Sequence, residues 1–148
     1  PPGRVVRPAA VGAVALELAL SGVAGALALV CTGARLRVRP EILALLAGAA
    51  SRGDTIELIP RTGALDARVA LADWRASHTF DRIGALDTLS LPTLVVAGTA
   101  DVMTPPKYAT YLAQHIAGAT LELVEGAGHT LPLEQPEALA ASLRRFAG

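Results

Sequence analysis

The sequence predicts an α/β fold, a three-stranded parallel sheet flanked by helices, and three observations carry that expectation. Short apolar or β-branched runs at about residues 26–32, Thr93 to Gly98 and Thr120 to Val124 read as strands buried on both faces. Stretches with helical signals separate them, which is the alternation of βαβ units. The 148 residues are 52% hydrophobic with zero formal net charge, so the chain can build a core of one ordinary domain. That apolar content is aliphatic: 30 Ala and 23 Leu against 3% aromatic residues. Low charge with high hydrophobicity excludes intrinsic disorder. The balance of 13 basic and 13 acidic residues argues against a nucleic-acid partner. Twelve of the basic residues are Arg and one is Lys107, a coding bias more than a functional signal. The single cysteine, Cys31, excludes an intramolecular disulfide framework and a cysteine-rich zinc site.

Pro1, Pro2 and Pro8 mark a start with little periodicity, and a first helix is expected over about 10–21. The weakly polar stretch from Ala9 to Cys31 is flanked by Arg4 and Arg7 on one side and by Arg35, Arg37 and Arg39 on the other, and its length is that of a membrane span. Glu17 near its middle would cost about 2.5–3.5 kcal/mol in a bilayer, and Ser21, Gly22 and Gly25 interrupt it. A helix, a turn and a strand are therefore the preferred reading, with no membrane partner. No signal peptide is expected either. Pro40 opens a helix over Glu41 to Ala50. Residues 51–63 read as loop, and residues 64–77 as a helix with Leu65, Val69, Ala72 and Ala76 at spacing 3–4. A short helix or irregular connection at 79–90 leads to the second strand. Thr104 is expected to cap a helix running to about Ala117, with Pro105 in its first turn and a stripe of Ala109, Leu112, Ala113 and Ile116. A last helix is expected from about Glu134 to Phe146, with Leu139, Leu143 and Phe146 on one face.

Ligands of open parallel sheets bind beyond the carboxyl ends of the strands. Asp101 follows the second strand in VVAGTADVMTPP and His129 follows the third in LELVEGAGHTLP, 28 residues later. Gly98, Ala100, Gly126, Ala127 and Gly128 let these loops approach closely. A carboxylate orienting a histidine that acts as general base is triad logic. The other chemically capable side chains have plainer readings. Cys31 is a small buried hydrophobe at a strand end, His115 a surface residue, and His78 a residue that packs within the insert or lines a pocket. Ser21, Ser51, Ser77, Ser90 and Ser142 read as helix-end or surface polar groups. Ser51 lies in A-x-S-x-G, a weak nucleophile signature that follows a helix rather than a strand. Arg35, Arg37 and Arg39 read as a solvated face.

The segment from Leu91 to Phe146, with a strand ending near G-x-x-D-x-x-x-P, a helix, a strand and then G-x-G-H before a proline-bearing helix, resembles the C-terminal third of the α/β-hydrolase family. GAVALELAL (12–20) looks like the helix after that family's nucleophile, LALVCTGARLRVRPEI (27–42) like its next strand and the start of its cap, and ALADWRASHTFDRIGAL (70–86) like the end of a small helical cap. The resemblance implies a partial α/β-hydrolase fold: a single incomplete domain over 1–148 with a shortened helical cap segment at 40–90. It implies Asp101 as triad acid, His129 as triad base, the Ala10 amide in an oxyanion hole, and Trp74, Met103 and Thr130 beside a substrate pocket. The departure from the family lies at the nucleophile. Arg7-Pro8-Ala9-Ala10-Val11 stands where G-x-S-x-G is expected, so the serine position falls on Ala9, and Arg7 and Val11 replace the glycines.

Three functions stay open. The chain carries the acid and base of a serine hydrolase of esters or lactones, with a small-molecule carbonyl substrate, no cofactor and no metal. It is a catalytically inactive remnant or pseudo-enzyme. Or it is an interaction or membrane-associated module using Ala9 to Cys31. A cytoplasmic location is expected, and so is self-association or a partner supplying a missing N-terminal half, because the first strand would present an open edge.

Overall fold

The computed structural model describes residues 8–58 and 63–148, with side chains from Ala10 onward. Arg4, Arg7, the Pro1–Pro2 pair and the side chain of Ala9 lie outside the described residues, as do residues 59–62 of the expected loop. The described residues form two compact units: one of residues 8–35 and 81–148, the other of residues 36–58 and 63–80.

The first unit contains the sheet. Helix α1 (Pro8–Leu20) leads into strand β1 (Leu27–Val30). Strand β4 (Thr93–Gly98) and strand β5 (Thr120–Val124) complete a parallel sheet of order β1-β4-β5, with Leu27 opposite Thr93 and Leu94 opposite Thr120. The expected three-stranded parallel sheet is thus present, and β4 and β5 have the bounds expected of them. All six residues of β4 are buried, because helices cover both its faces. Leu94 and Val96 join Cys31, Ala127 and Leu131 in a core that packs against Leu139 and Phe146. Alternation along the strand turns Thr93, Val95 and Ala97 to the opposite face. Helix α4 (Pro106–His115) crosses between β4 and β5 and buries Ala109 and Leu112, with Ile116 buried just past its end. A 3-10 turn over Ile83–Thr88 fills the irregular connection and buries Leu86. The last helix is two helices, α5 (Leu131–Glu134) and α6 (Pro136–Ala147). The break falls at Pro136, which has no amide hydrogen to continue α5 and instead starts α6. Ser142, not Leu143, is buried on α6, and Leu143 is exposed.

The second unit is the insert. Pro40 sits in the first turn of helix α2 (Pro40–Arg52), as expected, and Gly53 ends it at φ 74°. The Gly53 and Asp54 amides donate to the carbonyls of Ala50 and Ala49, the paired bonds of a Schellman ending. Strands β2 (Thr55–Ile56) and β3 (Leu65–Asp66) form a small antiparallel ladder, which corrects the loop expected over 51–63. Two-residue strands leave no period in the sequence to detect. Helix α3 (Ala67–Thr79) starts where Asp66 accepts the Arg68 amide at 2.8 Å, and it packs against α2. Its buried residues are Ala67 and Ala70, whereas Val69, Ala72 and Ala76 are exposed, so the stripe expected for this helix is corrected by about one position. His78 Nδ1 accepts the Val38 amide at 3.1 Å, a packing role within this unit.

No helix among the described residues is long and apolar enough to cross a membrane. The stretch from Ala9 to Cys31 is instead a helix, a turn and a strand.

Candidate active site

Two loops leave the carboxyl ends of adjacent parallel strands and are tied to each other before either reaches its functional side chain. After β4, the Thr99 amide donates to Val124 O at 3.0 Å and the Ala100 amide to Ala127 O at 2.9 Å. After β5, the Gly126 amide donates to Thr99 Oγ1 at 2.8 Å. This closeness requires glycine at 98. A Cβ there would stand 2.1 Å from the Ala127 carbonyl oxygen, well inside any real contact. The crossing brings Asp101 and His129 together.

Asp101 is 3% exposed and His129 7%. His129 Nδ1 lies 2.9 Å from Asp101 Oδ2. Asp101 Oδ1 accepts the amides of Met103 and Thr104, both at 2.8 Å, and Oδ2 accepts the Thr104 hydroxyl at 2.8 Å. Thr104 Oγ1 is also 3.2 Å from His129 Nδ1. Burial alone would raise the Asp101 carboxyl. The bond from His129 and the amide and hydroxyl of Thr104 outweigh it and hold the group below its ordinary 3.8. With the threonine hydroxyl donating to an acceptor-only carboxylate, the network assigns a proton to Nδ1 of His129, and in the neutral ring Nε2 is then the nitrogen that carries the lone pair. Such a ring can accept a proton from a hydroxyl or water at Nε2.

Thr104 therefore does not cap α4, the role its sequence position suggests. Pro105 is the capping residue and makes no side-chain bond, and the Thr104 hydroxyl is turned inward to the carboxylate. Sequence reasoning also passes over Glu134. Its Oε2 accepts the Gly128 amide at 2.6 Å, and its Oε1 accepts the Thr130 amide at 3.1 Å and the Thr130 hydroxyl at 2.5 Å. The available signal is T-x-x-x-E, one residue longer than a capping box.

Met103 and Thr130 stand within two residues of Asp101 and His129 respectively, Met103 exposed and Thr130 half-buried. Ala10 is in the first turn of α1, and Trp74 is half-buried on α3 in the other unit. Gly12 of α1 lies close over the end of β1, where a Cβ would meet the Thr32 side chain at 2.5 Å. Cys31 is fully buried, in a left-handed conformation at φ 47°, with Sγ 3.8 Å from Gly128 O. Burial pushes its thiol up to about 12, which removes the thiolate a nucleophile would need. The Ser51 hydroxyl donates to Gly48 O at the exposed end of α2, in the insert unit. Ser21 donates to Leu18 O, and Ser142 donates to Glu122 and to Ala138 O. His115 is exposed and stacks on Tyr111.

A model of the alpha/beta hydrolase family matches residues 12–142. The chain is 38% identical over 71 residues to a pimeloyl-acyl-carrier-protein methyl ester esterase of Neisseria meningitidis, a match covering 48% of this chain and 28% of that protein. It is 41% identical over 83 residues to the polyketide synthase ThaQ of Burkholderia thailandensis, covering 56% of this chain and 4% of that protein. Among solved structures it is similar to a thermophilic esterase from Thermogutta terrifontis, with a TM-score of 0.72 and 26% identity over 92% of this chain and 61% of that one. The chain thus spans less than two thirds of each of these relatives.

Proposed function

The chain belongs to the alpha/beta hydrolase family, and on that premise we propose that Asp101 and His129 are the acid and base of a Ser-His-Asp hydrolase of ester- or lactone-type bonds. The observation that carries this reading is the buried 2.9 Å contact between Asp101 Oδ2 and His129 Nδ1 at the ends of neighbouring parallel strands. In the complete enzyme, His129 Nε2 removes the proton from a serine hydroxyl, which Ala9 at the family position does not supply, as that oxygen attacks the substrate carbonyl. Asp101 holds the ring in the required tautomer and stabilises the imidazolium that forms. The imidazolium then protonates the leaving alcohol, and the same pair activates water to release the acid. Ester chemistry is favoured because the relatives named above include a methyl ester esterase and a thermophilic esterase. Met103 and Thr130, within two residues of Asp101 and His129, would border the acyl group.

Ala9 favours a second reading. Alanine carries no nucleophilic atom, and it stands at the position the family pattern gives to the serine. On this reading the chain keeps the acid–base pair without turnover.

Hydrolysis of short-chain p-nitrophenyl esters separates the two readings, using the chain expressed with any coding sequence that flanks it. Turnover is expected, lost in His129→Ala and lowered about 10⁴-fold in kcat by Asp101→Asn. Folded protein without turnover, or turnover indifferent to His129→Ala, would leave the second reading standing.

A further inference from the structure

The backbone on both sides of His129 is held by one carboxylate that plays no part in the proton transfers above. Glu134 lies five residues downstream, at the end of the short helix α5. Its Oε2 takes the amide of Gly128, the residue before the histidine, at 2.6 Å. Its Oε1 takes the amide of Thr130, the residue after it, at 3.1 Å, together with the Thr130 hydroxyl at 2.5 Å. A carboxylate that only caps a helix reaches back to the amide of the capping residue, here Thr130. The Gly128 amide lies beyond that, on the far side of His129, and serves no helix end. Gly128 also has the space the contact needs: a Cβ there would stand 3.0 and 3.2 Å from the two carboxylate oxygens. The ring of His129 is meanwhile held from the buried side by Asp101 and Thr104.

The geometry points to Glu134 as a positioning residue that fixes the backbone of His129, and through it the alignment of Nδ1 on Asp101. The inference rests on His129 being the base of the proposed reaction and adds the residue that holds that base in register. Both oxygens are required. Glutamine at 134 keeps one acceptor and turns an amide donor toward a backbone N–H, so it can serve only one side of the histidine.

The test reads the imidazole directly and needs no turnover. Imidazole nitrogen shifts and the downfield Nδ1 proton of His129 are recorded by NMR in the ¹⁵N-labelled chain, in Glu134→Gln, Glu134→Ala and Asp101→Asn, with His129→Ala for assignment. Amide exchange is followed in the same samples. The chain itself is expected to hold the Nδ1-protonated tautomer. Both Glu134 variants are expected to mix the tautomers and broaden the Nδ1 proton. They should also raise exchange at Gly128 and Thr130 about tenfold or more, with the amides of β4 unchanged. If Glu134→Ala unfolds, the near-isosteric glutamine variant carries the test; unfolding of that variant too would make Glu134 a stability residue and overturn the inference. Glu134 variants with an unchanged His129 tautomer, beside an Asp101→Asn variant that alters it, would overturn the inference alone. An Asp101→Asn variant that leaves the His129 nitrogens unchanged would overturn the acid–base pair and the inference with it.

Discussion

Asp101 is a carboxylate taken almost wholly out of water, a placement that is costly unless its oxygens are filled. Two amides, a threonine hydroxyl and the His129 ring fill them. Because these bonds hold the carboxyl below its ordinary 3.8, the folded state binds its proton less readily than the unfolded chain. The stabilisation is therefore complete above the ordinary carboxylate value and is lost as pH falls through the lower, folded one. In urea titrations, the stability difference between the chain and Asp101→Asn is expected to shrink as pH is lowered from about 5 to about 3. Thr104→Val removes one of the filling bonds inside the core. It is expected to lower stability by about 1.5–3 kcal/mol in the same titrations at neutral pH. The two residues of the pair are legible in the sequence because an acidic and a basic side chain each come after an apolar run, among glycines. Thr104 and Glu134 are not. The Thr104 hydroxyl has a competing local use as a helix cap, and Glu134 acts on backbone amides, which leave no trace in residue types.

The strands explain why the pair meets at all. β4 and β5 are readable to the residue, since Pro92 and Gly98 bracket one apolar run and Gly118 precedes the other. The positions of Asp101 and His129 beyond them depend on how closely two loops cross, and Gly98 sets that distance. Gly98→Ala is expected to cost about 1–3 kcal/mol by overpacking, measured as a drop in the urea midpoint. It is also expected to break the Ala100–Ala127 bond and disturb the His129 ring signals. The elements that read less well are those whose signal is weak in kind. With 30 alanines in the chain, an alanine stripe does not tell the buried face of α3 from the exposed one. β2 and β3 are held by a ladder of two residue pairs and so lack the period that marks a strand.

The sheet unit presents an unusual boundary. Among the described residues, β1 pairs only with β4, leaving its other edge unpaired. Val11, Val14 and Leu18 stand on the preceding helix at spacings of three and four, 62%, 59% and 50% exposed. Where no further strand of the protein covers it, an open strand edge beside an apolar helix face favours pairing with a second copy of the chain. For these 148 residues alone, light scattering after size-exclusion chromatography is expected to show a mass that rises with concentration, and Val14→Lys with Leu18→Lys is expected to move it toward the monomer. A concentration-independent monomer would contradict this. The central claim, that Asp101 and His129 form a working acid–base pair, is tested most directly by intact-mass measurement after a fluorophosphonate probe, which labels a serine activated by a neighbouring histidine. The protein is to be expressed with any coding sequence that flanks these residues. The expected result is a single adduct on one serine, absent in His129→Ala and formed far more slowly in Asp101→Asn. No adduct on folded protein, or an adduct that persists in His129→Ala, would contradict it.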